Sequence, residues 1–169
     1  MAKQPYTISQ FSLTVETVPQ LGMVKELKLP DLTMASEDIR PGGYFSDIEI
    51  HQGLEKMEAT FELFEHSIQL HELCFERDGG LRLFTFRGYS VRDNGEWRKH
   101  AVFMRGRLKQ RSPNAFSAGK IGSLTYTMTP RYYREVIEGS TVAEIDIVNH
   151  KMVIGGRDLM ADMRSALAI

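Results

Sequence analysis

Few residues in this sequence have side chains that could do chemistry, and their spacing does not build a site. His71 and Glu72 match the start of a zinc-protease helix motif, but the position one turn later, which must supply a second histidine, is Phe75. The histidines are scattered, and we assign all five to surface or hydrogen-bonded core positions: His51, His66, His71, His100 and His150. The sequence therefore predicts no metal site.

The single cysteine and the glycine pairs also lack the neighbours that catalysis or cofactor binding needs. Cys74 has no recognisable base nearby, which indicates a small buried hydrophobic residue, and one cysteine excludes an internal disulfide and is typical of a reducing cytoplasm. The glycine pairs at 42–43, 79–80 and 155–156 are not followed by Lys-Ser or Lys-Thr, so none forms a phosphate loop. We predict no enzyme, no catalytic residue and no cofactor.

One basic cluster could bind phosphate. If segment 105–111 (RGRLKQR) alternates as a strand, it places four cations on one face: Arg105, Arg107, Lys109 and Arg111. A phosphate-binding stripe is the functional interpretation. The structural interpretation is cross-strand pairing with acids such as Glu58 and Glu62, or with acids of a neighbouring subunit. We favour pairing, because no aromatic platform for stacking bases is interleaved with the cations.

Length and charge set the broad class of the protein. The 169 residues suit one domain, 1–169, with one core. With 21 Lys and Arg against 22 Asp and Glu, the net charge is −1, so no overall field attracts nucleic acid or an anionic membrane. No run approaches the roughly 20 apolar residues of a membrane span, and we expect a soluble protein without a membrane partner.

Alternation of apolar and polar residues dominates and predicts strands. In 54–63 the residues Met57, Ala59, Phe61 and Leu63 fall on one face, and in 123–129 serine and threonines alternate with Leu124, Tyr126 and Met128. Further strands are predicted over 11–18, 21–29, 81–87, 100–109, 142–148 and 151–154. Turn signals separate them at 78–80, 93–95, 112–114 and 138–140.

Two helices complete the predicted fold. Segment 65–76 contains neither Gly nor Pro and places four residues at helical spacing: Ile68, His71, Glu72 and Phe75. Segment 157–169 is predicted as a helix that packs through Leu159, Met163, Ala166 and Leu167. The fold class is mainly β, a β-sandwich or barrel with one internal helix and a C-terminal helix.

A long connector, 36–52, lies between two alternating segments. A two-residue turn would join antiparallel strands with less entropy lost, so this length indicates contacts beyond the subunit. Ile48 and Ile50 alternate with polar residues, as in a strand that docks. Pro41 stiffens the connector, and the Gly42-Gly43 pair permits close backbone approach or positive φ. An ordinary mobile surface loop is the alternative.

Seven short segments stand in the order in which they occur in the major tail tube proteins of contractile-tailed phages. They are 27–33 (LKLPDLT), 37–43 (EDIRPGG), 48–58 (IEIHQGLEKME), 105–109 (RGRLK), 126–133 (YTMTPRYY), 143–149 (AEIDIVN) and 151–158 (KMVIGGRD). The chain resembles that family, including its branch of R-type bacteriocin inner tubes, from about residue 11 to the end. The collinear order of the seven segments carries the resemblance. Two stretches differ: 112–116 (SPNAF) stands where the family has an acidic Asp-Pro-Gly turn, and 75–100 matches the family weakly.

The resemblance implies a structural subunit of a tail inner tube. Such subunits close into sixfold rings, and the rings stack into a hollow tube, one large β-barrel, inside a contractile sheath. The resemblance also implies that 36–52 is an extended loop that reaches the next ring, through Arg40, Pro41, Gly42, Gly43, Tyr44, Ile48 and Ile50. The implied partners are further copies of the chain, the tail sheath, the baseplate hub or initiator, the tape measure and the tail terminator, while DNA passes through without specific binding.

A tube needs a wet inner wall that does not grip its cargo. We therefore predict that hydroxyl and acidic faces line the channel: Glu58, Thr60, Glu62, Ser123, Thr125 and Thr127. Like-charge repulsion would then keep DNA sliding. Outer solvent is the alternative location of these faces.

The outer wall is expected to carry the C-terminal helix, with Asp158 and Asp162 facing the sheath. The implied location is the virion, after assembly in the cytoplasm of the host bacterium, and the implied function is a DNA conduit that templates the sheath. Two alternatives stay open. One is the inner tube of a DNA-free injection machine, a bacteriocin or a type VI secretion system; the other is a nucleic-acid-binding β-barrel that uses Arg105 to Arg111.

Overall fold

The structure is a computed structural model that describes residues 4–64, 67–74, 80–115 and 117–169, with the side chains of residues 69 and 74 also outside the description. Its elements, in chain order, are β1 (Thr7–Val15), β2 (Val18–Pro19), β3 (Val24–Lys28), β4 (Met34–Ile39), β5 (Ile48–Leu54), β6 (Ala59–Leu63), α1 (Ile68–Cys74), β7 (Arg82–Val91), β8 (Trp97–Pro113), β9 (Leu124–Ile137), β10 (Ser140–Asp146), β11 (Lys151–Ile154), β12 (Arg157–Asp158) and α2 (Ala161–Leu167). The mainly β prediction is confirmed.

One antiparallel sheet contains every strand except β4 and β5, which form a separate hairpin. Its main path runs β12-β11-β10-β9-β8-β7-β1-β2, and β6 and β3 branch from β9. The branch arises because β8 covers one edge of β9, while β6 and β10 share the other edge. Leu124–Met128 of β9 pairs with β6, and Tyr132–Ile137 pairs with β10.

The sheet folds over on itself to enclose the core. The ring of Phe61 in β6 lies 5.3 Å from the ring of Tyr126 in β9 and 5.9 Å from the ring of Phe84 in β7, which is three strands away along the sheet. The predicted inward faces of both alternating segments are confirmed, since every residue named for them is buried: Met57, Ala59, Phe61, Leu63, Leu124, Tyr126 and Met128. Each large side chain stabilises the fold by about 1.5–3 kcal/mol through burial.

Gly106 lies where the sheet branches. It pairs with Pro130 of β9, next to a register shift in the β8–β9 ladder. Pro130 lies between the part of β9 that pairs with β6 and the part that pairs with β10. A Cβ atom at Gly106 would lie 2.3 Å from the backbone oxygen of Thr129, a distance that real Cβ atoms do not adopt. The absence of a side chain at this position therefore allows β9 to run close beside β8 while it changes partner.

Both helices differ from their predictions. In α1 the buried residue is Leu70, whereas Ile68, His71 and Glu72 of the predicted stripe are exposed. Phe75 and the predicted helix ends at 65, 66 and 76 lie outside the described residues, and so does the Cys74 side chain, which was predicted to be buried. The predicted packing of the terminal helix is wrong, because α2 buries none of its residues. Residues 157–158, predicted as its first turn, form β12 instead.

The predicted strands agree with the structure more closely than the predicted turns do. All six further strands are present, although β1 begins at Thr7 and β8 extends to Pro113. The turns at 93–95 and 138–140 are confirmed, and residues 78–79 of the turn at 78–80 lie outside the described part. The prediction of a turn at 112–114 is wrong, because Pro113 still pairs with Leu124 and the loop begins at Asn114. A proline is tolerated at this strand end.

Candidate assembly surfaces

A polar face crosses four neighbouring strands, β3, β6, β9 and β8. The ladders align two rows of outward residues: Lys28, Thr60, Thr127 and Gln110 in one, and Glu26, Glu62, Thr125 and Ser112 in the other. The residues predicted as one polar face on β6 and β9 are therefore direct cross-strand neighbours. The sequence did not identify the contributions of β3 and β8, since those strands alternate less regularly.

Lysines neutralise the carboxylates of this face. Hydrogen bonds from Lys109 and Lys56, both 2.7 Å from a Glu58 oxygen, lower the pKa of Glu58 to about 2. Lys25, 2.8 Å from Glu62, is the main cause of the lowered pKa of Glu62, followed by the hydroxyl of Ser123. The face is therefore close to neutral and rich in hydroxyl groups, and the repulsion predicted between its acids and DNA has little net charge to act through.

Ser123 lies beneath the polar face, since it is buried. Its hydroxyl donates to Glu62, and Asn114 donates to Glu62 at 2.6 Å and to Ser123 at 2.9 Å. These bonds fasten both ends of the loop between β8 and β9. We therefore correct the predicted role of Ser123, which supports the face and is not part of its exposed surface.

The basic cluster on β8 is split by a β-bulge. The register shift between Leu108 and Gln110 turns Arg111 to the same side as buried Tyr126, whereas Arg105, Arg107 and Lys109 are exposed on the opposite side. The prediction of four cations on one face is wrong for this reason. The predicted pairing with acids holds for Lys109, which binds Glu58.

The connector at 36–52 is largely a β-hairpin, which we call the arm (β4, β5 and residues 40–47 between them). Ile39 pairs with Ile48, and Glu37 pairs with Ile50. The turn is closed by a hydrogen bond from the amide of Tyr44 to the carbonyl of Pro41, with Gly43 at φ 92°. The predicted positive φ is thus present at Gly43. No atom comes within 4 Å of a Cβ built on Gly42 or Gly43, so the arm makes no close approach there within its own chain.

The arm exposes apolar side chains on one face and at its tip. Ile39, Ile48 and Ile50 lie on one face and are each more than a third exposed. Phe45 at the tip is 96% exposed, while Arg40 steadies the tip by donating to the carbonyl of Phe45 at 2.8 Å. Exposed apolar clusters of this kind mark interaction sites. The sequence prediction named Tyr44 but missed Phe45, although an aromatic pair beside a Pro-Gly-Gly turn is a usable signal.

The terminal helix α2 is held by a polar clasp. Arg164 lies 2.5 Å from a carboxylate oxygen of Asp158 and donates to the carbonyl of His150 at 2.8 Å. The bond to Arg164 is the main cause of the lowered pKa of Asp158. Leu159, Met163 and Leu167 are exposed beside exposed Asp162. The structure thus places Asp158 in β12 as part of the clasp and Asp162 on the helix surface.

Two edges of the four-stranded polar sheet lack strand partners. β3 pairs with β6 on one side only, and β7 accompanies β8 no further than Gly106, so within the described residues neither β3 nor 107–113 has a second strand neighbour. Unpaired strand edges are templates for pairing with another chain.

The part of the chain that the structure describes holds no group of three or more His, Cys, Asp or Glu that could bind a metal ion. His100 is hydrogen-bonded to Glu135 at 2.8 Å, whereas His51, His71 and His150 are exposed and His66 lies outside the described residues. Neither described helix is long and apolar enough to span a membrane.

Comparison with known proteins gives matches along nearly the whole chain. The family model described as phage tail tube protein FII matches residues 5–167. The major tail tube protein of Serratia phage KSP20 is 23% identical over 158 residues, covering 94% of this chain and 92% of that protein. The tail tube protein of Escherichia phage P2 is 26% identical over 153 residues, covering 88% of each.

Solved structures of contractile injection systems share the fold. A chain of the PVC sheath-tube complex in its extended state matches with a TM-score of 0.57 and 13% identity, over 80% of this chain and 93% of that one. A chain of the anti-feeding prophage cap, described as a tube-terminating cap, matches with a TM-score of 0.60 and 11% identity, over 83% and 95%.

Proposed function

The chain belongs to the family of the phage tail tube protein FII and is a structural subunit of a phage tail inner tube, and on that premise we propose that six copies close into a ring and that rings stack into a hollow conduit. It is a component of the virion. We further propose that it has no catalytic activity and that it assembles in the cytoplasm of the host bacterium.

Ring closure would extend the polar sheet from copy to copy. Consecutive neighbours among β3, β6, β9 and β8 are antiparallel, so β3 and β8 run in opposite directions. In a ring generated by rotation, the open edge of 107–113 in one copy would meet the open edge of β3 in the next as an antiparallel pair. Each copy then contributes four strands to a continuous barrel, in which neither of these two edges is left unpaired.

The polar face would line the channel of this barrel. Support comes from its hydroxyl groups and its lysine-neutralised carboxylates, because a near-neutral hydroxyl wall holds water without attracting or repelling a polyanion strongly. We propose Thr60, Thr125 and Thr127 as channel residues, together with Glu58 and Glu62.

A single cysteine at position 127, in a chain with Cys74 replaced by serine, tests this location. In assembled rods, the Thr127→Cys thiol should react with a small maleimide but not with a maleimide carried on a long polymer that cannot enter the channel. In dissociated subunits both reagents should react. Equal labelling of rods by the two reagents would place residue 127 on the outer wall.

The arm would join one ring to the next, because its apolar face and Phe45 have no covering partner among the described residues. Residues Arg40 to Tyr44 shape the tip, and Ile48 and Ile50 supply an apolar contact face on one side of the hairpin. An interaction of this type between identical rings repeats around the circumference and adds up over many weak contacts.

The surface around α2 is our candidate for sheath contact, through Asp162 and the exposed residues Leu159, Met163 and Leu167. Removal of residues 161–169 should leave rods intact but prevent sheath polymerisation on them in electron micrographs. Normal sheathed tails from the truncated chain would exclude this role. The baseplate hub or initiator, tape measure and tail terminator are the remaining proposed partners, and DNA would pass without specific binding.

Negative-stain electron microscopy of the purified protein is the central test. Rings or hollow rods are expected, and a protein that stays monomeric at every concentration would refute the tube proposal. A DNA-free injection tube predicts the same images, so the presence of capsid and terminase genes beside this gene distinguishes the phage tail. A nucleic-acid-binding barrel predicts a salt-dependent mobility shift of DNA, which the tube does not.

A further inference from the structure

The arm carries two carboxylates that repel each other. Asp38 and Glu49 are directly opposite in the β4–β5 ladder, and both are exposed. Across the described chain, neither makes an ion pair or a hydrogen bond through its side chain. Like charges directly opposite on a β-ladder destabilise the pairing of the strands. The arm therefore gains stability when cations approach this face.

Two unpaired arginines line a groove elsewhere on the same subunit. The groove, of about 380 Å³, lies between Leu81, Arg105, Arg131, Tyr132, Asp146, Val148 and Asn149. Arg105 and Arg131 are exposed, and within the residues that the structure describes neither guanidinium has a carboxylate partner. The carboxylate of Asp146 is occupied locally, because it accepts bonds from the amides of Val148 and Asn149 and from the Asn149 side chain.

We propose that the groove formed by Arg105 and Arg131 in one copy receives the acidic face of the arm of a second copy, with Asp38 and Glu49 opposite the two guanidiniums. This face is on the opposite side of the hairpin from Ile48 and Ile50, which remain available to another surface of the neighbouring ring. This inference rests on the proposed tube, and it identifies the surface to which the arm binds. Two unpaired cations meet two unpaired anions, so docking removes the repulsion within the arm and adds charge-assisted hydrogen bonds.

The walls of the groove strengthen this pairing. Leu81 and Val148 are at least a third exposed in the single subunit and would be covered by the arm. Apolar walls exclude water, and ion pairs are stronger where the local dielectric constant is lower. Arginine also suits this role, since its planar guanidinium binds a carboxylate through two parallel hydrogen bonds.

The larger groove of the subunit is a poorer receptor for the arm. Its volume is about 430 Å³ and its lining is mainly apolar, but it includes Glu16 and Glu72 against a single arginine, Arg82. Across residues 34–54 the arm contains Glu37, Asp38, Asp47 and Glu49 against Arg40 alone. The excess of acids in the larger groove would repel an acidic arm, whereas the arginine groove, with two arginines against the carboxylate of Asp146, attracts it.

Charge reversal of the full-length protein tests the pairing. The groove variant Arg105→Glu/Arg131→Glu and the arm variant Asp38→Lys/Glu49→Lys should each form rings but at least tenfold fewer rods than the wild type, by electron microscopy and sedimentation. The combined four-residue variant should recover rod formation to within about twofold. A matched control, Arg87→Glu/Lys120→Glu, makes the same charge change at exposed positions outside the groove and should form rods normally.

Each outcome bears on one claim. Wild-type protein without rings and rods would refute the tube itself. Wild-type rods together with normal rods from the groove variant would refute the groove as receptor while the tube stands. Loss of rods in both double variants without recovery in the combined variant would also refute the pairing, because complementary charges should restore it.

Discussion

Replacement of Gly106 by alanine should destabilise the subunit more than any other single methyl group we could add to a glycine in the sheet. The new Cβ would lie 2.3 Å from the oxygen and 2.8 Å from the carbonyl carbon of Thr129, and 2.7 Å from the Cα of Pro130. All three atoms belong to the backbone, so no side-chain rotation relieves the clash. The backbone at Thr129 must move until its oxygen is at least 3.0 Å away.

The expected loss of stability follows from that movement. Residue 129 lies in β9 between the segment that pairs with β6 and the segment that pairs with β10, so a shift disturbs ladders on both sides of the branch. Overpacking of a filled site costs about 1–3 kcal/mol, and we expect about 3 kcal/mol here because the clash is with backbone atoms. For a domain of this size, that corresponds to a fall in Tm of about 6–12 °C.

Thermal and urea unfolding at one fixed protein concentration, low enough to avoid assembly, measure this loss. Gly88→Ala is the matched control in a strand, because its Cβ would meet ring atoms of Phe86 at 3.2 Å, and a ring can adjust. Gly42→Ala, with open space around it, should change stability by less than about 0.5 kcal/mol. If Gly106→Ala were no more destabilising than Gly88→Ala, β9 would not need the close approach to β8 at Gly106.

Three further predictions concern the arm, the polar face and the clasp. Phe45→Ala should leave the Tm of the monomer unchanged, since the side chain is 96% exposed, but should reduce rod formation, and unaltered rods would exclude a docking role for the tip. Glu58 has a pKa of about 2 in the folded state, below its usual 4.5, so its pairs with Lys109 and Lys56 stabilise the fold above pH 4.5 and lose this effect as the pH falls towards 2. The Tm difference between the wild type and Glu58→Gln should therefore shrink as the pH falls from 4.5 to 2. A Tm difference that stays constant over this interval would contradict the pairing. Arg164→Ala removes the bonds to Asp158 and His150 and should speed amide exchange in α2 while sparing β9, whereas unchanged exchange in α2 would show that the clasp does not hold it.

The sequence predicts the core strands well because their pattern has one physical cause. Met57, Ala59, Phe61 and Leu63 all point inward, and a strict period of two leaves no other arrangement that buries them. It predicts β8 less well, since the bulge at Leu108–Gln110 reverses the direction of Arg111, and a bulge depends on the partner strand.

In the terminal segment the apolar pattern was predicted correctly, but the prediction of what covers it was wrong. Leu159, Met163 and Leu167 have helical spacing, from which we predicted packing within the subunit, but all three are exposed. Periodicity shows that a face is apolar without showing which molecule covers it. For a chain that belongs to an assembly, the same signal serves core and interface alike, and Phe45 and Ile48 on the arm illustrate this.

The hairpin β4–β5 shares no ladder with the larger sheet, and two strands on their own are only marginally stable in water. Its amides should therefore exchange with deuterium quickly in dispersed subunits and slowly once neighbours cover them. The hairpin is thus a built-in reporter of polymerisation, which would reveal each addition to a growing filament without any label attached to the chain.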